Sequence, residues 1–214
     1  TLSTPNALKS IDFAHAHHID YLMFDAGWYG PEGRDDSDAT TVTLDPDRTK
    51  TFPQHPGLDL SRVCQYAKEK GVAIILYVNH RALRRQLDII LPIYREWGIA
   101  GIKFGFVGVG HQEANRWIHE AVKKCADYNL IVNIHDNYRP TGLSRTYPNL
   151  LTQEGIRGNE HMPTARHNCT LPFTRFPMGA GDATICYYDA RLKTTHAHQL
   201  AMAIIIYSPL QTVL

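Results

Sequence analysis

Three carboxylates, Asp136, Glu154 and Glu160, fall within one short stretch, and a fourth, Asp25, ends an apolar run near the start of the chain. Clustered carboxylates repel, and burial makes each one costlier to ionise. Two uses justify such a cluster: general acid–base chemistry, and the binding of a hard cation such as calcium. Glycoside hydrolysis joins the two, because one carboxyl protonates the leaving oxygen while another activates water or attacks carbon. Taken singly, each carboxylate could instead cap a helix or pair with Arg139, Arg145 or Arg157. As a set they are harder to explain that way.

Other polar residues end apolar runs in the same manner. Asn79-His80 closes a second run, Lys103 lies inside a third, and His135 immediately precedes Asp136. His80 and His135 could bind sugar hydroxyls or be hydrogen-bonded core histidines. Trp28 could stack on a sugar ring or simply pack. The chain has 12 histidines, so the count alone decides nothing; His15, His17 and His18 fit a solvated helix face.

These residues need a frame that brings them together. Thr4-Pro5 reads as a helix start, with Thr4 as cap, followed by apolar residues at helical spacing to about His18. Residues 21–24 form an apolar run too short for a helix and suited to a buried strand. Residues 28–57, rich in Pro, Gly and Asp, predict a long loop, either functional or a solvated insertion. Further strands are expected at 72–78, 99–106 and 130–134, with a weaker one at 149–152 and a sixth near 170–176. Helices are expected around Leu60–Ala67, Leu83–Tyr94, Trp117–Cys125 and 198–207.

Strand and helix thus alternate, and the strands are continuous apolar runs. That pattern predicts a parallel sheet covered by helices on both faces. The strands at 72, 99 and 130 start 27 and 31 residues apart, a normal βα repeat. No Gly-x-Gly-x-x-Gly follows the first strand, which argues against dinucleotide binding. A (β/α)8 barrel of TIM type needs about 250 residues, so the 214 residues here are expected to be part of one, with the first and last strands missing. In such barrels the chemistry sits where strands end, which is where the carboxylates lie.

Composition agrees. Apolar residues make up 43% and charged residues 20%, the balance of an ordinary globular chain. With 22 Lys+Arg against 21 Asp+Glu, bulk charge gives no pull toward nucleic acid or an anionic membrane. No apolar run approaches the roughly 20 residues that span a bilayer. The four cysteines form no Cys-x-x-Cys pair and read as free thiols.

A longer match covers nearly the whole chain. His135-Asp136-Asn137-Tyr138-Arg139-Pro140-Thr141-Gly142, Arg145-Thr146-Tyr147-Pro148-Asn149-Leu150, Glu154-Gly155 and Arg157-Gly158-Asn159-Glu160 together resemble glycoside hydrolase family 97. So do Leu171-Pro172-Phe173-Thr174-Arg175, Asp182, Ser208-Pro209-Leu210-Gln211 and Asp25-Ala26-Gly27-Trp28-Tyr29. The resemblance implies an α-glycosidase of α-glucosidase or α-galactosidase type acting on α-linked oligosaccharides. It implies a catalytic (β/α)8 barrel with an active-site calcium ion and flanking β-domains outside these residues. It also implies a periplasmic or secreted location. Residues 1–214 are therefore expected to be a single catalytic-barrel fragment.

The resemblance also assigns roles. Glu160 becomes the general acid, Asp136 the base candidate, and Glu154, Glu160 and Asp136 calcium ligands. Asp25, Trp28, His80, His135 and Lys103 become candidate substrate-binding residues. Retaining members carry a nucleophilic Asp where this chain has Gly105; inverting members have glycine there. Inverting members also carry a second basic Glu near the place of Arg81, and a Glu rather than Asp at 136. The expectation is an inverting, calcium-dependent α-glycosidase preferring α-glucosides. The alternatives are a retaining α-galactosidase whose nucleophile is Asp25 or Glu113, and a sugar-binding barrel without catalysis.

Overall fold

The computed structural model describes residues 2–44 and 57–213. The expected loop at 28–57 therefore lies partly outside the described residues. The chain divides into two compact units, Thr1–Gly105 with Lys124–Ile131, and Phe106–Lys123 with Val132–Leu214.

The first unit opens with helix α1 (Thr4–Ala16), then strand β1 (Tyr21–Phe24), α2 (Leu60–Lys70), β2 (Ala73–Asn79), α3 (His80–Glu96) and β3 (Gly101–Gly105). The cap of α1 is Ser3, whose hydroxyl accepts from Asn6 N at 3.4 Å, rather than the expected Thr4. Thr4 begins the helix, and its hydroxyl is used elsewhere, accepting from Asp59 N at 2.7 Å. Asp59 caps α2, and Gly71 ends it in the left-handed conformation that glycine adopts without strain.

All three strands run parallel, with Phe24 opposite Leu76 and Asn79 opposite Gly105. β2 is buried at six of its seven positions, which is why its sequence does not alternate. Ile74, Leu76, Val78, Ile102 and Phe104 form the sheet side of the core, and Leu83, Ile90, Leu91 and Tyr94 of α3 line the helix side. Each such aliphatic side chain contributes about 1.5–3 kcal/mol through burial.

Helix α4 (Gln112–Asp127) buries Ile118, Ala121, Val122 and Cys125. Strand β4 (Ile131–Ile134) and strand β5 (Leu150–Gln153) pair in parallel, Val132 opposite Leu150 and Asn133 opposite Thr152, with a register shift between them. Around them lie α5 (Leu143–Thr146), a 3₁₀ turn at Asn159–His161, α6 (Ala165–Thr174), a second 3₁₀ turn at Phe176–Met178, and α7 (His196–Ile205). Leu171, Phe176, Ala183, Ile185, Met202 and Ile206 make a core cluster of the second unit.

The expected sixth strand near 170–176 is α6 and the turn after it. Thr164 caps that helix, accepting from His167 N, and Thr170 and Thr174 donate their hydroxyls to the carbonyls four residues back. Those local bonds satisfy threonines that would otherwise favour a strand. Five strands are therefore seen among the described residues, in chain order within each unit: the βα repeat of an incomplete TIM-type barrel. All four cysteines are free. Among the described residues no helix is long and apolar enough to cross a membrane.

Candidate active site

The candidate residues lie at the C-terminal ends of the strands, where a parallel barrel presents its chemistry. In the first unit, Asp25 follows β1, His80 follows β2, and Lys103 lies on β3. Lys103 is buried, and its Nζ donates to Asp25 Oδ2 at 2.7 Å. The same ammonium lies 5.8 Å from the centre of the Tyr77 ring. Asn79 Nδ2 donates to the Tyr77 hydroxyl at 3.2 Å, and Asn79 N to the Tyr29 hydroxyl at 2.9 Å. Burial pushes the Tyr29 phenol well above its ordinary range, so it stays neutral as a hydrogen-bonding group.

Gly105 ends β3 fully enclosed. A Cβ built on it would overlap the ring and hydroxyl of Tyr77. Arg81 pairs with Asp35, so the strand end where inverting relatives are expected to place a second Glu holds an arginine with an exposed aspartate on it.

Trp28 is not where the sugar-stacking expectation put it. It is fully buried, edge-on to Tyr29 and Tyr94, and its indole N–H donates to Tyr77 O at 2.7 Å. Its ring faces are taken up by the core. His80 is half-buried at the start of α3.

In the second unit, Glu154, Asp136 and His135 come together. Glu154, buried just after β5, accepts from Asp136 N at 2.5 Å through Oε2. Asp136 itself takes a left-handed backbone, φ 67°, and its carboxylate accepts from Phe106 N, where φ is also positive at 56°. Such backbone costs on the order of 1–3 kcal/mol per residue and clusters at functional sites. Glu160 follows on the 3₁₀ turn, exposed, with Oε1 3.7 Å from His161 Nδ1.

Burial raises the Glu154 pKa above its ordinary value. The charge of His135 and the Asp136 N–H oppose that rise, while Glu160 and Asp136 add to it.

His135 connects Glu154 to a residue the resemblance named without a role. Its Nδ1 lies 3.6 Å from Glu154 Oε2, and its Nε2 meets Asp182 Oδ2 at 2.8 Å. Asp182 is wholly buried and saturated: it also accepts from Asn133 Nδ2, from the Thr212 hydroxyl and N–H, and from Thr184 N. Burial alone would raise its pKa. The bonds and charge of His135, with Thr212 and Asn133, outweigh that and hold it far below the usual carboxylate range.

Arg175 is the second residue given no role. Its guanidinium donates to the carbonyls of Gln153, Glu154 and Gly155 at the end of β5. Neither role was legible from spacing, since these partners lie about 20 to 50 residues apart in the chain.

The donor chemistry of Asp136, Glu154 and Glu160 suits calcium, a hard cation that takes carboxylate oxygens. Among the described residues, no three or more His, Cys, Asp or Glu side chains close into a metal-binding group. Asp136 accepts from Phe106 N and Glu154 from Asp136 N.

A parallel βα frame with carboxylates at its strand ends is the architecture of a partial TIM-type barrel. Residues 1–156 match the family model for glycoside hydrolase 97, and the chain belongs to that family. It is 30% identical to a retaining alpha-galactosidase of Bacteroides thetaiotaomicron, covering 97% of this chain and 32% of that protein. It is 35% identical to a probable retaining alpha-galactosidase of Streptomyces bingchenggensis, over 81% of this chain and 26% of the relative.

Among solved structures, a glycoside hydrolase family 97 enzyme from Pseudoalteromonas sp. strain K8 in complex with panose superimposes with a TM-score of 0.79 at 25% identity, covering 99% of this chain and 36% of that one. The chain spans about a quarter to a third of the length of the curated relatives it matches.

Proposed function

We propose that this chain carries the acid and base of an inverting α-glycosidase, with α-glucosides as the preferred substrates. Glu160 protonates the glycosidic oxygen as the bond to the anomeric carbon breaks. Asp136 takes a proton from the water that attacks the opposite face, and the sugar leaves with inverted configuration. Within the second unit, His135 beside Asp136 is the residue that would hydrogen-bond sugar hydroxyls.

The observation that supports inversion is Gly105. It offers no nucleophile, and Tyr77 fills the space a side chain there would need. Asp136, whose carboxylate is oriented by the Phe106 N–H, is the base in this reading.

Calcium belongs to the same proposal. Glu154, Asp136 and Glu160 would hold it, and a bound ion would supply positive charge that offsets their mutual repulsion. A second reading, a retaining α-galactosidase, is favoured by the names of the two curated relatives. It needs a nucleophile from Asp25 or Glu113. Asp25 already holds the Lys103 ammonium.

The experiment is leaving-group dependence. On α-glucosides with poor leaving groups, Glu160→Gln should lose about 10²-fold or more of kcat. On aryl α-glucosides with acidic leaving groups, which need no proton, it should lose far less. Equal loss on both would remove Glu160 from the acid role. Binding of sugar by the unaltered protein with no turnover of α-glucoside or α-galactoside would leave a binding barrel.

A further inference from the structure

Arg175 is buried, with 7% of its surface exposed, and among the described residues no carboxylate pairs with it. A buried charge without a counter-charge is expensive, so what it touches defines its use. Nη2 donates to the carbonyls of Gln153 at 3.3 Å, Glu154 at 3.0 Å and Ala180 at 2.8 Å. Nη1 donates to Gly179 O at 2.8 Å, and Nε to Gly155 O at 3.4 Å. The guanidinium carbon lies 5.9 Å from the centre of the Phe176 ring. Burial, with the nearby charge of Arg139, lowers its pKa to about 10, which still leaves it a cation at neutral pH.

Three consecutive carbonyls therefore meet one cation. In an extended strand, successive carbonyls point to alternate sides. They converge here because β5 ends and Gly155 turns with φ 53°. The turn is also closed from the other side. A Cβ on Gly155 would overlap Tyr138 O and lie 3.1 Å from Arg139 Cα, so the segment after Asp136 packs directly on Gly155. The middle carbonyl of the three belongs to Glu154, whose carboxylate accepts the Asp136 N–H at 2.5 Å. Held at Asp136, that amide fixes the left-handed backbone from which the Asp136 side chain projects.

We infer that Arg175 is a positioning residue for hydrolysis: by clamping the carbonyls of 153–155 it sets Glu154, and through Glu154 the orientation of Asp136. The inference rests on the proposed reading of Asp136 as base. A misplacement of about 1 Å at a reacting group can cost about 10²-fold in rate, which sets the size of the effect.

The test compares Arg175→Lys, which keeps the charge and loses the fork, with Met202→Ala, which loosens the core cluster of the same unit without removing a bond to the carbonyls of 153–155. Both are made in the protein that carries this chain, and kcat, KM and Tm are measured on an aryl α-glucoside. Arg175→Lys is expected to lower kcat by about 30- to 100-fold with KM changed less than about threefold. Met202→Ala, at a similar loss of Tm, is expected to keep kcat within about threefold. If Arg175→Lys does not fold, Arg175→Gln is read against the same limits.

A kcat for the Arg175 variant no lower than that of Met202→Ala at matched Tm overturns the inference and leaves Arg175 a structural staple. Failure of the reading on which it rests shows separately, in the unaltered protein. Release of the retained anomer there removes Asp136 as base, and absence of turnover removes the reaction that Arg175 is said to serve.

Discussion

The ring and hydroxyl of Tyr77 occupy the space that a side chain on Gly105 would require. Tyr77 is itself buried, and its hydroxyl is held by Asn79 Nδ2, so it has little freedom to turn aside. The end of β3 therefore presents a phenol and a bare backbone. A carboxylate on this strand end would need both residues to change.

Gly105→Asp is accordingly expected to overpack the site rather than supply a nucleophile. Overpacking a buried position costs about 1–3 kcal/mol. The variant should melt several degrees lower and release no retained product. Tyr77→Ala with Gly105→Asp should recover part of the lost Tm. Thermal melts and product analysis check both. A stable single variant giving the retained anomer would show that the space can be made.

Asp182 should make the second unit acid-sensitive. Its folded-state pKa lies below the unfolded value, so its contribution is present above the ordinary carboxylate range and is lost as pH falls through that range and below it. Glu154 shifts the other way. Its folded-state pKa is raised, so it opposes folding as pH rises from the ordinary carboxylate range through the raised value.

Asp182→Asn isolates the first effect. It weakens the buried acceptor shared by His135, Asn133 and Thr212, and the loss should be about 3 kcal/mol at neutral pH. The unfolding free energy of the variant should then fall less steeply than that of the unaltered protein below about pH 5. Urea melts at neutral and acid pH measure this. Parallel pH profiles would mean that Asp182 is not the acid-sensitive group.

Calcium removal gives a further check. If Glu154, Asp136 and Glu160 hold the ion, chelation should lower both kcat and Tm, and added calcium should restore them. Glu154→Gln should weaken the calcium dependence of Tm by at least about tenfold in calcium concentration. Activity and Tm unchanged after exhaustive chelation would remove calcium from the account.

Much of the frame was legible because parallel strands buried on both faces read as unbroken apolar runs, as residues 73–79 do. The end of the second helix was legible because Gly71 marks it. The strand expected near 170–176 is a helix because the β-propensity of Thr170 and Thr174 is overridden by bonds from their own hydroxyls to the helix backbone.

The strand-end carboxylates were legible as a set because their placement follows from the βα repeat. Trp28 was not, because an aromatic residue at a strand end can face a ligand or the core, and only tertiary packing decides. Asp182 and Arg175 act on partners that the chain brings together only on folding, so their types and spacing carried no signal of their roles.

The measurement that bears most directly on the central claim is the stereochemistry of the first product. Hydrolysis of an aryl α-glucoside by the protein that carries this chain, with calcium present, would be followed by proton NMR from the first turnover. The account predicts β-glucose first, with the α-anomer growing in only by mutarotation. α-Glucose first would contradict it, and would require a nucleophile other than the residue at 105.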